Sequence, residues 1–134
     1  MATTALATET VYFKGSMGFL TNPLGTMVEF SLLVDADKHT VTGNITITDG
    51  ATKKSYSGKV SGTTYPAGYG DIVRLINITG NIPNSNPLTP LRLHFEANMA
   101  LKADWSGKGG FTFLGKHHGD VDVQGSIFKL DSAK

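Results

Sequence analysis

Apolar and polar residues alternate along much of this chain, most regularly over residues 91–105. Successive side chains of a β-strand point to opposite faces, so this segment predicts one apolar face and one wet face of a half-buried antiparallel sheet. A strand of this length would be unusual, so we expect a bend or bulge, or a passage of the strand from one sheet to another, near Ala97 and Ala100, where side chains are small. The apolar positions are Leu91, Leu93, Phe95, Ala97, Met99, Leu101, Ala103 and Trp105.

Similar but shorter runs predict seven more strands, separated by turn residues. The first run begins at about residue 10, with Val11, Phe13 and Gly15 facing inward. The fifth is apolar on both faces, as a central strand or one covered by a partner would be. The predicted strands cover about 10–19, 28–34, 41–47, 55–65, 72–82, 91–105, 111–113 and 121–127.

The predicted turns follow from glycine, proline, asparagine and aspartate. Asp49-Gly50 predicts a tight type I′ hairpin turn, which needs positive φ at both central positions. Residues 65–71 predict a flexible loop, and the glycine-rich residues 106–110 predict another turn. Residues 117–120, His-His-Gly-Asp, predict the last turn before the eighth strand.

Eight strands joined mostly by short turns predict an all-β fold, an eight-stranded antiparallel meander closed as an up-and-down β-barrel. A two-sheet β-sandwich is the alternative. Glycines at inward positions favour the barrel, because they suit a strongly coiled sheet. The length of 134 residues predicts a single all-β domain over residues 1–134, with residues 1–9 as a flexible N-terminal segment. The inward glycines are Gly15, Gly43, Gly58, Gly62 and Gly125.

Composition and charge exclude several classes of protein. The net charge is +1 and the longest basic run is Lys53-Lys54, so the chain lacks the basic stripe of a nucleic-acid-binding protein. The absence of cysteine excludes disulfides and thiolate sites. Neither a signal peptide nor a long apolar run is present, which predicts a cytoplasmic protein without a transmembrane segment; a secreted chain that has lost its signal peptide is the alternative.

Few side chains suggest catalysis. His117, His118 and Asp120 form the densest group of potential metal ligands, and imidazole and carboxylate suit zinc or nickel. They lie at a predicted turn, and spacing fixes no third ligand, so we predict neither a metal nor a cofactor. His94 and Glu96 share the wet face of the long strand, where an acid–base pair could form but simple solvation is commoner. No nucleophile elbow or phosphate-binding loop is present, which makes an enzyme the least favoured class.

The best candidate site is the loop at 65–71 together with the single tryptophan. Tyr65 and Tyr69 offer flat apolar faces with polar tips, and Asp71 supplies acceptors, a combination that suits sugars and aromatic ligands. Trp105 would project into a barrel mouth or close its floor. We therefore predict a non-enzymatic binding module for a glycan or small apolar ligand at a barrel mouth or loop cleft, with Tyr65, Tyr69, Asp71 and Trp105 as contacts.

The alternative is a structural protein that acts through its own homo-oligomerisation. The fifth strand, apolar on both faces, motivates this hypothesis. The small net charge adds to it, because it removes long-range repulsion between copies.

Two resemblances accompany this interpretation. Residues 30–49, from Phe-Ser-Leu-Leu-Val to Thr-Ile-Thr-Asp, resemble a segment found in small bacterial all-β domains of unknown function. The meander is similar in outline to avidin-like and lipocalin-like barrels, and Asp104-Trp105-Ser106-Gly107 resembles the tryptophan near a strand end in the avidins. The resemblance implies a fold, and function still has to be argued from a site.

Overall fold

The computed structural model describes residues 10–18, 25–50, 52–83 and 92–129, without the side chains of Tyr69 and Lys129. Residues 1–9, for which we predicted flexibility, lie outside the described residues. Within the described ranges the structure is all-β, and no helix has the length and apolar character needed to cross a bilayer.

The fold is a closed barrel of eight antiparallel strands, each paired with its neighbours in sequence. The last strand pairs with the first and leaves no open edge. This confirms the predicted barrel, and the sandwich alternative was wrong. The strands are β1 Thr10–Gly18, β2 Thr26–Asp35, β3 Thr40–Asp49, β4 Ser55–Tyr69, β5 Ile72–Pro83, β6 Arg92–Lys102, β7 Gly107–Phe113 and β8 Lys116–Lys129.

Apolar side chains fill the interior of the barrel. The interior of an eight-stranded barrel is narrow enough for side chains to fill it. Here every strand contributes buried residues to one core. The ring centroids of Phe13 and Phe30 lie 4.8 Å apart, and those of the stacked rings of Phe95 and Phe111 lie 6.2 Å apart. Phe113 belongs to the same core, so it fills the lumen instead of lining an open one.

The long alternating segment behaves as predicted between Leu93 and Leu101, where odd residues face the core and even ones face outward. β6 nevertheless ends at Lys102, so residues 103–105 belong to a turn although their sequence continues the alternation. The expected bulge near Ala97 and Ala100 was wrong, because the register of β6 is continuous there. The register shift lies on the neighbouring strand between Ile72 and Arg74, where β5 carries one extra residue against β6.

Several predicted turns also differ from the structure. The glycine-rich residues 107–110 belong to β7, and residues 117–120 lie within β8. The last hairpin turn is Leu114-Gly115, where both residues have positive φ. β4 extends to Tyr69, which reduces the predicted loop to the two-residue turn Gly70-Asp71. Five residues connect Asp49, the end of β3, to Ser55, the start of β4. The predicted tight type I′ turn at Asp49-Gly50 was therefore wrong.

The up-and-down order determines which turns share an end of the barrel. Residues 36–39, 70–71 and 103–106 connect strands at one end, which we call the Trp105 end. Tyr65 and Asp71 also lie towards this end, because β4 runs to it and the β4–β5 turn is part of it. The candidate binding residues are therefore gathered at one end by topology.

Candidate functional site

Trp105 occupies the β6–β7 turn in a left-handed backbone conformation, with φ +67°. Its N–H donates to the carbonyl of Lys102 at 2.9 Å, and the N–H of Lys102 donates to the carbonyl of Ser106 at 2.8 Å. A non-glycine residue in this region costs about 1–3 kcal/mol and persists only where the surroundings hold it. The indole is partly buried against the core, with its ring centroid 5.0 Å from that of Phe13.

Asp104 and Ser106 stabilise this turn. Oδ1 of Asp104 accepts hydrogen bonds from the N–H of Ser106 at 3.0 Å and from its hydroxyl at 2.7 Å. These bonds favour the ionised carboxylate and lower the pKa of Asp104. At neutral pH the turn that holds Trp105 is therefore closed by a charged acceptor.

Arg74 points into the same end of the barrel. Its guanidinium carbon lies 5.0 Å from the centroid of the Trp105 ring, a cation–π arrangement, and Nη1 donates to the hydroxyl oxygen of Thr64 at 3.4 Å. Thr64 is fully buried, and its hydroxyl donates to the carbonyl of Leu75 at 3.1 Å. Partial burial lowers the pKa of Arg74.

Tyr65 lies on the outer wall, half exposed, and stacks on His39 with ring centroids 5.1 Å apart and planes 20° from parallel. The imidazole Nδ1 of His39 is 3.1 Å from the carbonyl oxygen of Thr64. The N–H of Thr64 in turn donates to the carbonyl of His39 at 3.2 Å. These contacts tie the β2–β3 turn to the wall of β4 and fix the orientation of Tyr65.

Asp71 is exposed in the β4–β5 turn and helps to line a polar groove of about 490 Å³ on the outside of the Trp105 end. Nζ of Lys108 donates to Oδ1 of Asp122 at 2.8 Å in this groove, and that bond raises the pKa of Lys108. Ser106, from the turn that carries Trp105, also lines it. The groove therefore offers positively charged hydrogen-bond donors and negatively charged acceptors beside the turn that carries Trp105.

The structure brings together part of the predicted site. Asp71 and Trp105 lie in turns at the same end, whereas Tyr65 faces outward on β4 and packs on His39. Tyr69 ends β4, and its side chain is outside what the structure describes. Arg74 was not among the predicted site residues, although it shares the inward parity of Ile76 and Ile78, which was the available signal.

The potential metal ligands do not converge. Nδ1 of His117 lies 2.9 Å from the hydroxyl of Thr112, whereas the ring of His118 stacks on Phe111 at 4.7 Å. Asp120 has φ +54°, so β8 is not extended there, and the alternation of side-chain faces between His118 and Asp120 is interrupted. Among the described residues no group of three potential ligands could hold a metal ion.

The outer wall of β5, β6, β7 and β8 carries a second polar groove, of about 310 Å³. Its rim includes Asn77, Asn98 and Glu96, from adjacent strands. Oε1 of Glu96 lies 3.6 Å from Nε2 of His94, and both side chains are more than half exposed. This solvated arrangement keeps both groups largely in contact with water, so the pair has little of the burial that tunes an acid–base site.

Comparison with known proteins shows to which family the chain belongs. No curated protein matches the chain. A family model described as "Domain of unknown function (DUF1842)" matches residues 13–118, from β1 into β8 and so most of the barrel. The chain therefore belongs to this family.

Proposed function

We propose that this protein is a non-enzymatic binding module that takes a glycan or small apolar ligand at the Trp105 end of the barrel. The observation that carries the proposal is Trp105 itself. A bulky aromatic residue is held in a left-handed conformation at the edge of the core, partly exposed, beside a polar groove. Costly backbone conformations of this kind cluster at ligand clamps.

The filled lumen supports binding at the end of the barrel instead of inside it. The resemblance to avidin-like and lipocalin-like barrels stays a prediction, and here core side chains occupy the interior. An aromatic ring with nearby carboxylate and hydroxyl groups suits a sugar, whose apolar face stacks while its hydroxyls form hydrogen bonds. Asp71 and Ser106 would supply those polar contacts.

Intrinsic fluorescence tests the proposal directly, because Trp105 is the only tryptophan. We expect a saturable emission shift when members of a glycan panel or a panel of small apolar molecules are titrated in. Asp71→Asn should weaken the response, whereas Glu29→Gln, exposed on the wall of β2, should leave it unchanged. Two panels without a saturable shift would contradict the proposal.

A second candidate function is self-association through the outer wall, favoured by exposed apolar side chains on β4 and β5. Tyr65, Val73 and Leu75 are 48%, 44% and 40% exposed, and Tyr65 lies directly opposite Leu75 in the register. Clustered apolar surface of this kind is typical of interfaces between proteins. The small net charge would not oppose association of two copies.

Two variants of the same strand and face distinguish this candidate. Leu75→Lys places a charge in the apolar cluster, whereas Thr79→Lys places the same charge among polar residues of β5. If the wall mediates association, sedimentation should show oligomers for the unmodified chain and Thr79→Lys, and monomers for Leu75→Lys. A monomeric unmodified chain at high concentration would rule this function out.

A further inference from the structure

Arg74 is an inward-facing cation at the end of an apolar barrel. Its register partner on β6 is the fully buried Leu101, and its guanidinium lies against Trp105 and Thr64. A charge in such a place is costly unless a counter-charge or several hydrogen bonds compensate for lost water.

Among the described residues, the hydrogen bonding of Arg74 is incomplete. A guanidinium has five N–H donors, and within this part of the chain one of them is used, in the 3.4 Å bond to Thr64. Within the described ranges no carboxylate lies at ion-pair distance from Arg74; the two ion pairs found there join His94 to Glu96 and Lys108 to Asp122. The described residues thus position the cation but do not neutralise it.

The surroundings hold the guanidinium in place. Because the hydroxyl proton of Thr64 is donated to the carbonyl of Leu75, its oxygen is left to accept from Arg74. The indole of Trp105 supplies a flat wall on another side. An incoming anion would meet donors already oriented, which reduces the entropy lost on binding.

We infer that Arg74 binds the carboxylate of the ligand, with Trp105 packing against the body to which that carboxylate is attached. The planar fork of an arginine matches a carboxylate with two parallel hydrogen bonds. The inference rests on the proposed binding function and names the ligand class for it: an acidic sugar or an aromatic acid instead of its neutral counterpart.

Matched pairs of charged and neutral probes test whether the protein prefers an acidic ligand. The unmodified protein is used, so the result does not depend on whether a variant folds. Glucuronate is compared with glucose, and benzoate with benzamide, by following the single Trp105 indole N–H signal in ¹H–¹⁵N spectra. We expect saturable shifts for at least one acid and an affinity about tenfold or more weaker for its neutral partner.

Variants then locate the contact. Arg74→Gln should remove the preference for the acid, whereas Arg92→Gln should retain it, since Arg92 is the other arginine and lies exposed on β6. Equal binding of acid and neutral probes, or an acid preference that survives in a folded Arg74→Gln variant, would overturn the inference and leave the binding function standing. No saturable shift with either pair would overturn the inference, and the proposed function would then depend on the broader panels.

Discussion

At the scale of single residues, Thr64 and His118 show two different ways in which a polar side chain is tolerated against the apolar core. Thr64 is completely buried, but its hydroxyl both donates and accepts a hydrogen bond. His118 stacks on Phe111 and is only partly buried. Burial first, and then the charges of Lys116 and His117, lower its pKa below the ordinary value of 6.5.

The pKa of His118 predicts a dependence of stability on pH. Because the folded pKa is lower than the unfolded one, the unfolded chain takes up the proton first as pH falls. Stability should therefore decrease as pH drops below about 6.5, and the loss should be complete once pH is below the folded pKa. The measurement is urea unfolding at about pH 8 and about pH 5.

Two histidine variants provide the comparison. His118→Gln should show a smaller loss of stability between the two pH values, whereas His117→Gln, exposed next to it on β8, should keep most of the loss, because burial is the largest cause of the lowered pKa of His118. An equal loss in both variants would show that another group is responsible.

At the scale of elements, the β7–β8 hairpin shows how a turn can escape sequence analysis. His-His-Gly-Asp at 117–120 contains ordinary turn residues, yet His117 and His118 pair with β7, and Gly119 and Asp120 fall at a register shift inside β8. The actual turn uses Leu114, with φ +55°, and Gly115, with φ +75°. Leucine rarely adopts a left-handed conformation, so its side chain gave no turn signal.

This turn predicts a stabilising substitution. Leu114→Asn should raise the free energy of unfolding by about 1 kcal/mol, because asparagine tolerates positive φ and Asn-Gly is the preferred type I′ pair. Leu114→Ala removes the same exposed side chain without that tolerance and serves as the control. Thermal or urea unfolding measures both, and no gain of Leu114→Asn over Leu114→Ala would contradict the interpretation of the turn.

At the scale of the whole molecule, closure depends on how closely β1 and β8 approach. Gly15 and Gly125 lie opposite each other in the register of this seam. A Cβ added at Gly125 would collide with the carbonyl oxygen of Lys14 and come 2.9 Å from the Cα of Gly15. The two glycines therefore let the first and last strands meet.

The seam predicts that Gly125→Ala loosens the closed barrel. Forced crowding of this kind costs about 1–3 kcal/mol. Gly119→Ala is the matched control on the same strand, because its Cβ would meet only the movable His117 ring. Hydrogen exchange should show faster opening of β1 and β8 amides in Gly125→Ala alone, and equal exchange in both variants would show that the seam has room for a side chain.

The candidate site was predictable only in part, for identifiable reasons. Asp71 and Trp105 were found from residue type, and the meander topology was enough to bring their turns to one end. Trp105 was placed on a strand because Ala103 and Trp105 continue the alternation beyond Lys102, where the chain turns. Arg74 was missed because a single charge in an apolar strand acquires meaning only when its neighbours are known.

The sequence by itself determined the class, the faces of the strands and the barrel preference, because alternation with a period of two is a property of the extended backbone. Tertiary structure alone decided the rest. Packing across the barrel filled the lumen with phenylalanines, and register placed Thr64 beneath Arg74. Whether a cation has a partner depends on contacts between distant strands, which no local pattern records.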